Sequence, residues 1–346
     1  MEKTEYYDDF CQYYHKAQQM EKKSLNQEYN YTIDDLVQNV HIYNATIRRN
    51  AGFSNVLNDI HNGNDDETTL SFTTIGKQLP FLPIERCNHD IYTMHYLHLV
   101  HRITGSGASF EADHGYRNTI IPYLARLESI EEMVEYIKSY KSPIFTSKGN
   151  QIPPFNKPNS PYIKGGIEYL CEYAPIISEE YVNYLDKFGG RKIKEAVDFI
   201  LDIHTQRNMK RYKFVLTAFV MDTAEYYPHL VDPTSHCYIG SNAIEAIELM
   251  FINTQSTKKE TFYDEVIEYL CFEHKKPDGL SNDPYSMEDV LCDYIRYVEN
   301  YIPRWYLRMA PLGKYNNNSL IKNHDKSLMP KYEAHDVYGE LNLFNH

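Results

Sequence analysis

Helical periodicity restricts the possible folds of this sequence more than any other feature. Apolar residues recur at helical spacing in one segment after another, whereas an alternating, strand-like pattern is rare and is clearest at residues 70–75. Ser178 and Ser286 are predicted N-caps, and Gly189 is a predicted helix stop. The pattern predicts a mainly α fold, formed by a single large helical domain with long irregular loops. Its helices are predicted at residues 33–49, 90–104, 130–140, 179–188, 191–206, 209–227, 242–251, 260–273 and 287–301.

Two segments that lack helical periodicity divide the chain. Residues 141–161 contain five prolines, which indicates a long loop, a lid or a linker. The tail after Pro311 is polar and includes three successive asparagines, which favours an extended strap or partial disorder. We therefore expect an N-terminal helical extension over residues 1–80, a catalytic helical domain over residues 81–310 and a polar C-terminal tail over residues 311–346.

Charge and cysteine usage exclude several classes of protein. The net charge of the 346-residue chain is −13, which argues against a general nucleic-acid coat but leaves room for a local basic groove. None of the six cysteines forms a C-x-x-C pair, so the sequence predicts neither a zinc knuckle nor a disulfide framework. The sequence has no apolar run of membrane-spanning length and no secretory signal, so we expect a cytoplasmic protein that does not enter a membrane.

The segment 101–118 carries the clearest signal for chemistry. A predicted helix delivers a histidine and an arginine and then breaks into Gly-Ser-Gly, where bare amides and hydroxyls can surround an anion. The predicted phosphate-binding residues are His101, Arg102, Gly105, Ser106, Gly107 and Ser109. Asp113 and His114 then place a carboxylate beside an imidazole, a possible acid/base unit. The alternative is a helix stop at Gly105 followed by a turn that is rich in serine.

The helix before this segment carries His95, His98 and His101 at successive i+3 positions. That spacing places the three imidazoles within an arc of roughly 120°. No carboxylate completes an H-E-x-x-H pattern, so we expect no metal and interpret the arc as a basic face toward the anion site. For His95, an ordinary buried or surface histidine is the preferred interpretation.

Two polar stretches are further candidates, each with a structural alternative. Asp232 and Ser235, in the turn 227–242, are predicted to bind substrate, or else to form the Asx and ST turns of a helix connection. Gly189, Gly190, Arg191 and Lys192 resemble the hairpin of helix-hairpin-helix proteins, in which a helix N-terminus meets a DNA phosphate. An ordinary glycine helix stop is the alternative for this hairpin.

The last candidate is one face of the helix after Ser286. Asp289, Cys292, Asp293 and Arg296 share this face by their spacing. They either line a site or form a solvated stripe with internal ion pairs. In the second case, the face with Val290, Leu291, Tyr294 and Tyr297 would be the buried one.

Taken together, the segments 101–118, 232–240 and 288–293 resemble the bacteriophage amino acid:DNA transferases of the α-glutamyl/putrescinyl thymine pyrophosphorylase clade. The resemblance covers residues 80–300, and the Gly-Ser-Gly block is its most specific element. It implies hypermodification of thymidine in DNA, in the cytoplasm of the host cell. An amino acid or polyamine would replace the pyrophosphate of a pyrophosphorylated 5-hydroxymethyluracil base, and no cofactor is implied. A relationship to helix-hairpin-helix glycosylase-like folds belongs to the same expectation.

Under this resemblance each candidate has a role. His101, Arg102 and the glycine amides would stabilise the departing pyrophosphate, and Asp113 or His114 would deprotonate the amine. Asp289 or Asp293 would hold the incoming ammonium, while Cys292 is a candidate for transient addition to the pyrimidine or, alternatively, a packed thiol. The base would be flipped out of the DNA duplex. The residues expected to contact substrate are Tyr116, Asn118, Asp232 and Ser235.

Two other interpretations stay open at this point. A glycosylase-like enzyme that excises a modified base would carry a carboxylate near the Gly189–Gly190 hairpin and would leave abasic sites. A non-catalytic protein that binds DNA or another protein would not depend on His101, Arg102 or Asp113, and the acidic net charge favours it slightly.

Overall fold

A computed structural model of the chain describes residues 1–4, 6–25, 47–50, 54–64, 86–104, 120–139, 162–209, 212–272 and 283–299. Helices hold 74% of these residues, which confirms the mainly α prediction. In chain order, the elements are β1 (Glu2–Lys3), α1 (Tyr6–Leu25), a 3-10 turn (Arg48–Asn50), α2 (Asn55–Asn62), α3 (Ile91–Thr104), α4 (Ile121–Leu124), α5 (Ile130–Ser139), α6 (Tyr162–Glu168), a π-turn (Tyr169–Tyr173), α7 (Ala174–Phe188), β2 (Arg191–Lys192), α8 (Ile193–Gln206), α9 (Lys213–Tyr226), β3 (Val231–Asp232), α10 (Ser241–Met250), β4 (Phe251–Ile252), α11 (Lys259–Phe272) and α12 (Pro284–Glu299). No described helix is both long enough and apolar enough to cross a bilayer.

The chain forms two compact units. The central unit is Phe53–Tyr238, and the terminal unit combines Met1–Gly52 with Ile239–His346. The domain boundaries predicted near residues 80 and 310 lie outside the described residues, so they stay predictions. The predicted helix at 33–49 lies almost entirely outside these residues, and the strand at 70–75, the loop at 141–161 and the tail at 311–346 lie wholly outside them.

The central unit is built on α3 and α9, two helices that are buried on nearly all sides. Every side chain of α3 from Thr93 to Thr104 is buried, as is every side chain of α9 from Val215 to Ala224. Helix α3 packs against α7 and α9, and α8 packs against both α7 and α9. Helices of this kind belong in the interior of a domain, so the polar side chains that they carry are placed in the core.

The terminal unit has a core that is rich in tyrosine. Tyr294 of α12 packs against Phe10 and Tyr13 of α1, with ring centroids 5.2 and 5.5 Å apart. Its hydroxyl donates a hydrogen bond to the carbonyl of Tyr6 (3.1 Å), so the polar end of the ring is satisfied in the interior. The strand β1 pairs with β4 in antiparallel orientation beside this core.

Two predicted N-caps are wrong because each helix begins before its serine, and α7 continues directly from the helical segments α6 and Tyr169–Tyr173. Helix α7 begins at Ala174, with Pro175 in its first turn, and Ser178 is buried inside the helix. Helix α12 begins at Pro284, and the hydroxyl of Ser286 accepts a hydrogen bond from the backbone amide of Arg48 (3.2 Å). The predicted helices at 90–104, 130–140, 191–206, 209–227, 242–251 and 260–273 are confirmed to within about four residues at each end.

Candidate functional site

The predicted phosphate segment is described only at its start. His101 and Arg102 lie in the last turn of α3, in the central unit. The other predicted residues of this segment lie outside the described residues; they are Gly105, Ser106, Gly107, Ser109, Asp113, His114, Tyr116 and Asn118. The hydroxyl of Thr104 donates to the carbonyl of Val100 (2.8 Å), so it bonds back to its own helix.

Arg102 forms a buried ion pair with Asp222 of α9. The guanidinium Nε donates to Oδ2 at 2.5 Å, and Nη2 donates to Oδ1. The two side chains are 3% and 0% exposed, so the positive charge of Arg102 is neutralised inside the core. The geometry is bidentate, which fixes the guanidinium plane as well as its charge. Arg102 therefore holds α3 against α9, and its predicted contact with phosphate stays a prediction.

The imidazoles of His95, His98 and His101 are all buried in α3, at most 1% exposed. Nδ1 of His95 bonds the carbonyl of Ile91 at 2.8 Å, which makes Nδ1 the protonated nitrogen of this ring. Its Nε2 has no hydrogen-bond partner among the described residues. Burial lowers the pKa of His95 to about 4, so this imidazole is neutral at physiological pH. The sequence predicts a basic face on α3, but the imidazole of His95 on that face is neutral.

A fourth imidazole, which sequence reasoning missed, joins this row. Nε2 of His61, near the end of α2, lies 2.8 Å from Nε2 of His98. The His61 ring also stacks on Tyr226, with centroids 4.1 Å apart and planes within 4°. Burial, and then the positive charge that His61 would carry, lower the pKa of His98 well below its usual value. The described residues contain no group of three His, Cys, Asp or Glu side chains placed to hold a metal ion.

The glycine hairpin is a sharp turn between α7 and α8. Gly189 and Gly190 have φ values of +50° and +55°, in a region that favours glycine. A Cβ added at either position would meet no described atom within 4 Å, so the turn is open on its outer side. The predicted arrangement of a helix, a glycine turn and a second helix is therefore present in the central unit.

The hairpin and the 227–242 turn, which the sequence presents as separate candidates, form one substructure. Strands β2 and β3 pair in parallel, with Lys192 opposite Asp232. Ser235 Oγ accepts a hydrogen bond from the amide of Ile193 (2.9 Å), the first residue of α8. Asp232 Oδ1 accepts from the amide of Thr234 (2.9 Å), which forms the Asx turn of the structural alternative. The substrate-binding role of Asp232 and Ser235 stays a prediction.

Cationic side chains lie beside aromatic rings at two places on this substructure, and acidic side chains lie there too: Arg191 pairs with Glu195 (3.7 Å), and the Tyr238 hydroxyl donates to Asp198 (2.8 Å). The Arg191 guanidinium lies 4.3 Å from the ring centroid of Phe188, which is 52% exposed. Lys213 Nζ lies 3.2 Å above the ring of Tyr238, and Lys194 Nζ lies 5.5 Å from the same ring. We call this region the hairpin surface; it consists of Lys187, Phe188, Arg191, Lys192, Lys194, Lys213 and Tyr238.

Helix α12 of the terminal unit buries the acidic face that the sequence singles out. Asp289 pairs with Arg48, whose Nη1 lies 2.5 Å from Oδ2, and Asp293 is 1% exposed. Cys292 is partly buried. The solvated-stripe alternative is therefore wrong for the two aspartates, because both are buried. The side chain of Arg296 lies outside the described residues.

Glu288, next to Asp289, is a buried carboxyl group that sequence reasoning missed. Its Oε1 accepts a hydrogen bond from the amide of Gly240 (3.0 Å), the N-cap of α10, while Oε2 has no partner among the described residues. Burial, followed by the charge of Asp289, raises the pKa of Glu288 to about 8. The group is thus mainly protonated at neutral pH, which removes a charge that the interior could not solvate.

No known protein family, curated protein or solved structure matches this chain. The functional argument therefore depends on the residues themselves. Those of α3 and of the hairpin surface belong to the central unit, whereas Arg48, Glu288, Asp289, Cys292 and Asp293 belong to the terminal unit.

Proposed function

We propose that this protein hypermodifies thymidine in DNA. It transfers an amine, an amino acid or a polyamine, to a pyrophosphorylated 5-hydroxymethyluracil base and releases pyrophosphate. The observation that carries the proposal is the composition of the central unit. This unit combines a partly exposed surface of cationic and aromatic side chains with buried imidazoles on the helix that leads into Gly105–Gly107.

The reaction breaks the bond between the exocyclic methylene carbon and the pyrophosphate oxygen, and it forms a carbon–nitrogen bond. Negative charge grows on the departing oxygen, which His101 and the amides of Gly105–Gly107 stabilise in this proposal. The amine arrives as an ammonium and must lose a proton before it attacks, and Asp113 or His114 accepts that proton.

The hairpin surface binds the DNA backbone in this proposal. Lysine and arginine supply the charge that phosphate contacts need, and the net charge of −13 would otherwise repel DNA. The exposed ring of Phe188 and the ring of Tyr238 offer apolar faces to sugars or to unstacked bases. Contact with the backbone holds the duplex while the modified base is flipped toward the chemistry.

Charge reversal on the hairpin surface tests this role. Lys192→Glu and Lys213→Glu are each expected to weaken DNA binding about tenfold or more at low salt, and to reduce the slope of log affinity against log salt by about 1. Titrations of a fluorescent duplex at several salt concentrations measure both quantities. Lys138→Glu is the matched control, since Lys138 is a half-exposed lysine of the same unit that pairs with Glu135. Equal losses in all three variants would show that only the overall charge matters.

Nucleoside mass spectrometry tests the reaction itself. DNA that carries pyrophosphorylated 5-hydroxymethyluracil is incubated with the protein in four separate reactions. Each reaction contains one amine: glycine, glutamate, putrescine or spermidine. We expect one amine to give a nucleoside whose mass is that of thymidine plus the amine, less two hydrogens. Recovery of only the starting nucleosides with every amine would contradict the proposal.

One observation favours a second candidate, a glycosylase-like enzyme. Asp232 lies directly across the β2–β3 pair from Lys192, so a carboxylate is present beside the glycine hairpin, as that alternative requires. This enzyme would release a modified base and leave abasic sites. The same DNA, treated with an aldehyde-reactive probe, distinguishes the two activities, because amine transfer leaves the glycosidic bond intact.

A further inference from the structure

The hydrogen bond between His61 and His98 connects helix α2 to helix α3, and it connects a partly exposed imidazole to a fully buried one. His61 is partly exposed near the end of α2, whereas His98 is fully buried in the middle of α3. Their Nε2 atoms are 2.8 Å apart, and the rings cross at 72°. The stack of His61 on Tyr226, whose hydroxyl donates to Asn58 Oδ1 (2.7 Å), holds the outer ring in place.

Two imidazole nitrogens at this distance share one proton. One Nε2 donates and the other accepts, so the protonation state of each ring dictates that of the other. Nδ1 of His98 points away from this bond and has no hydrogen-bond partner among the described residues. It is therefore a buried nitrogen that can accept a proton when Nε2 of the same ring is the donor.

We propose that His61 and His98 form a proton-transfer pair between the buried side of α3 and the partly exposed His61. In the starting state His98 carries its proton on Nε2 and donates it to Nε2 of His61. A proton then arrives at Nδ1 of His98, the Nε2 proton moves to His61, and His61 releases its Nδ1 proton to solvent. One proton enters and one leaves, and both rings change tautomer. The starting state returns when the same steps run in reverse, with one proton entering at Nδ1 of His61 and one leaving from Nδ1 of His98.

The surroundings of His98 favour a concerted transfer. The titratable or charged groups around it are His61 on α2, His95, His101 and Arg102 on α3, and Asp222, Tyr226 and Tyr227 on or after α9. A full imidazolium at this position would be costly, since burial disfavours its charge. When His98 accepts at Nδ1 while it donates from Nε2, that charge does not accumulate. The proton that reaches His98 is the one that Asp113 or His114 takes from the incoming ammonium, so its source rests on the proposed function.

A measurement on the resting protein tests the pair without any turnover. In protein labelled with ¹⁵N at histidine, we expect scalar coupling between Nε2 of His61 and Nε2 of His98 across their hydrogen bond at neutral pH. His61→Gln is expected to abolish the coupling and to shift the His98 signals, while the signals of the histidines that do not contact this pair stay in place. The absence of coupling in the wild-type protein, or two bare Nε2 atoms, would overturn the proposal.

Chemical rescue separates proton transfer from a structural role. His61→Gln is expected to reduce kcat about tenfold to a hundredfold, within the usual range for a lost acid/base group, and free imidazole is expected to restore it. His89→Gln is the matched control, because His89 is a partly buried histidine of the same unit that bonds the carbonyl of Ala125 (3.0 Å). A wild-type rate in His61→Gln, or a loss that imidazole does not restore, would overturn the pair. If the wild-type protein turns over no amine, the proposed function fails, and the coupling still decides whether the pair exists.

Discussion

Asp222→Ala is expected to lower the free energy of unfolding by about 3–5 kcal/mol, the usual cost of removing one partner from a buried ion pair. The reason is that Arg102 would keep its positive charge at 3% exposure and would lose the Asp222 carboxylate that neutralises it. Urea denaturation, followed by circular dichroism, measures the change directly. This loss would be a large part of the stability of an ordinary domain.

Two variants make the interpretation of this result specific. Asp198→Ala removes an exposed carboxylate of the same unit, one that accepts a hydrogen bond from the Tyr238 hydroxyl, and is expected to cost less than about 1 kcal/mol. Replacing both Arg102 and Asp222 with leucine is expected to recover much of the loss, since no buried charge then remains. If Asp222→Ala cost no more than Asp198→Ala, the buried pair would not hold α3 against α9.

Glu288→Gln is expected to make the protein more stable relative to wild type as the pH rises. Removing an ordinary carboxylate, whose pKa is lowered by folding, has the opposite effect. The folded pKa of Glu288 is about 8, above its ordinary value of 4.5, so the folded state binds the proton more tightly than the unfolded state. The stabilisation is fully present below pH 4.5 and is lost as the pH rises through 8. By linkage this loss amounts to roughly 3–5 kcal/mol.

The glutamine variant keeps an oxygen that can accept from the Gly240 amide, and it carries no ionisable proton. We therefore expect the difference in unfolding free energy between variant and wild type to grow in favour of the variant between pH 5 and pH 9. Denaturation at a series of pH values gives this difference. The contribution of histidine titration to stability is the same in both proteins, so it cancels in the difference. Glu265→Gln, at an exposed carboxylate of the same unit, is the control. A difference that is constant with pH would show that Glu288 is ionised in the folded protein.

The sequence was sufficient for α3, α5, α8 and α9 of the central unit and for its glycine hairpin, whereas the short helices α2, α4 and α6 were not predicted. Helical periodicity and the pair Gly189 and Gly190 are local signals, and the structure confirms the helices and the turn that they predict. The predicted caps at Ser178 and Ser286 are wrong. A serine before an apolar run is a local signal for an N-cap, but both helices begin earlier along the chain.

The pairings between distant residues could not be predicted. Arg102 and Asp222 are 120 positions apart, and periodicity carries no information on which helix faces which. A signal did exist in the single aspartate within the otherwise uncharged stretch 215–224 of α9, because a charge inside a buried helix needs a partner. His61 offered no such signal, and only the position of α2 beside α3 reveals its bond to His98.

The ion pair also changes which variant tests the chemistry. An alanine at Arg102 would leave Asp222 buried without its partner, so a loss of activity there would report on folding as well as on phosphate binding. His101 is the more informative position. His204→Asn is its matched control, since His204 is equally buried in the same unit and bonds the Tyr169 hydroxyl at 3.0 Å.

Release of pyrophosphate from pyrophosphorylated 5-hydroxymethyluracil DNA, followed in the presence of the accepted amine, tests the central claim most directly. The wild-type protein and His204→Asn are expected to release one pyrophosphate for each aminated nucleoside. His101→Asn is expected to be slower by about a hundredfold or more, with its thermal stability close to that of His204→Asn. Equal rates in the two variants, or no release by the wild-type protein, would contradict the account.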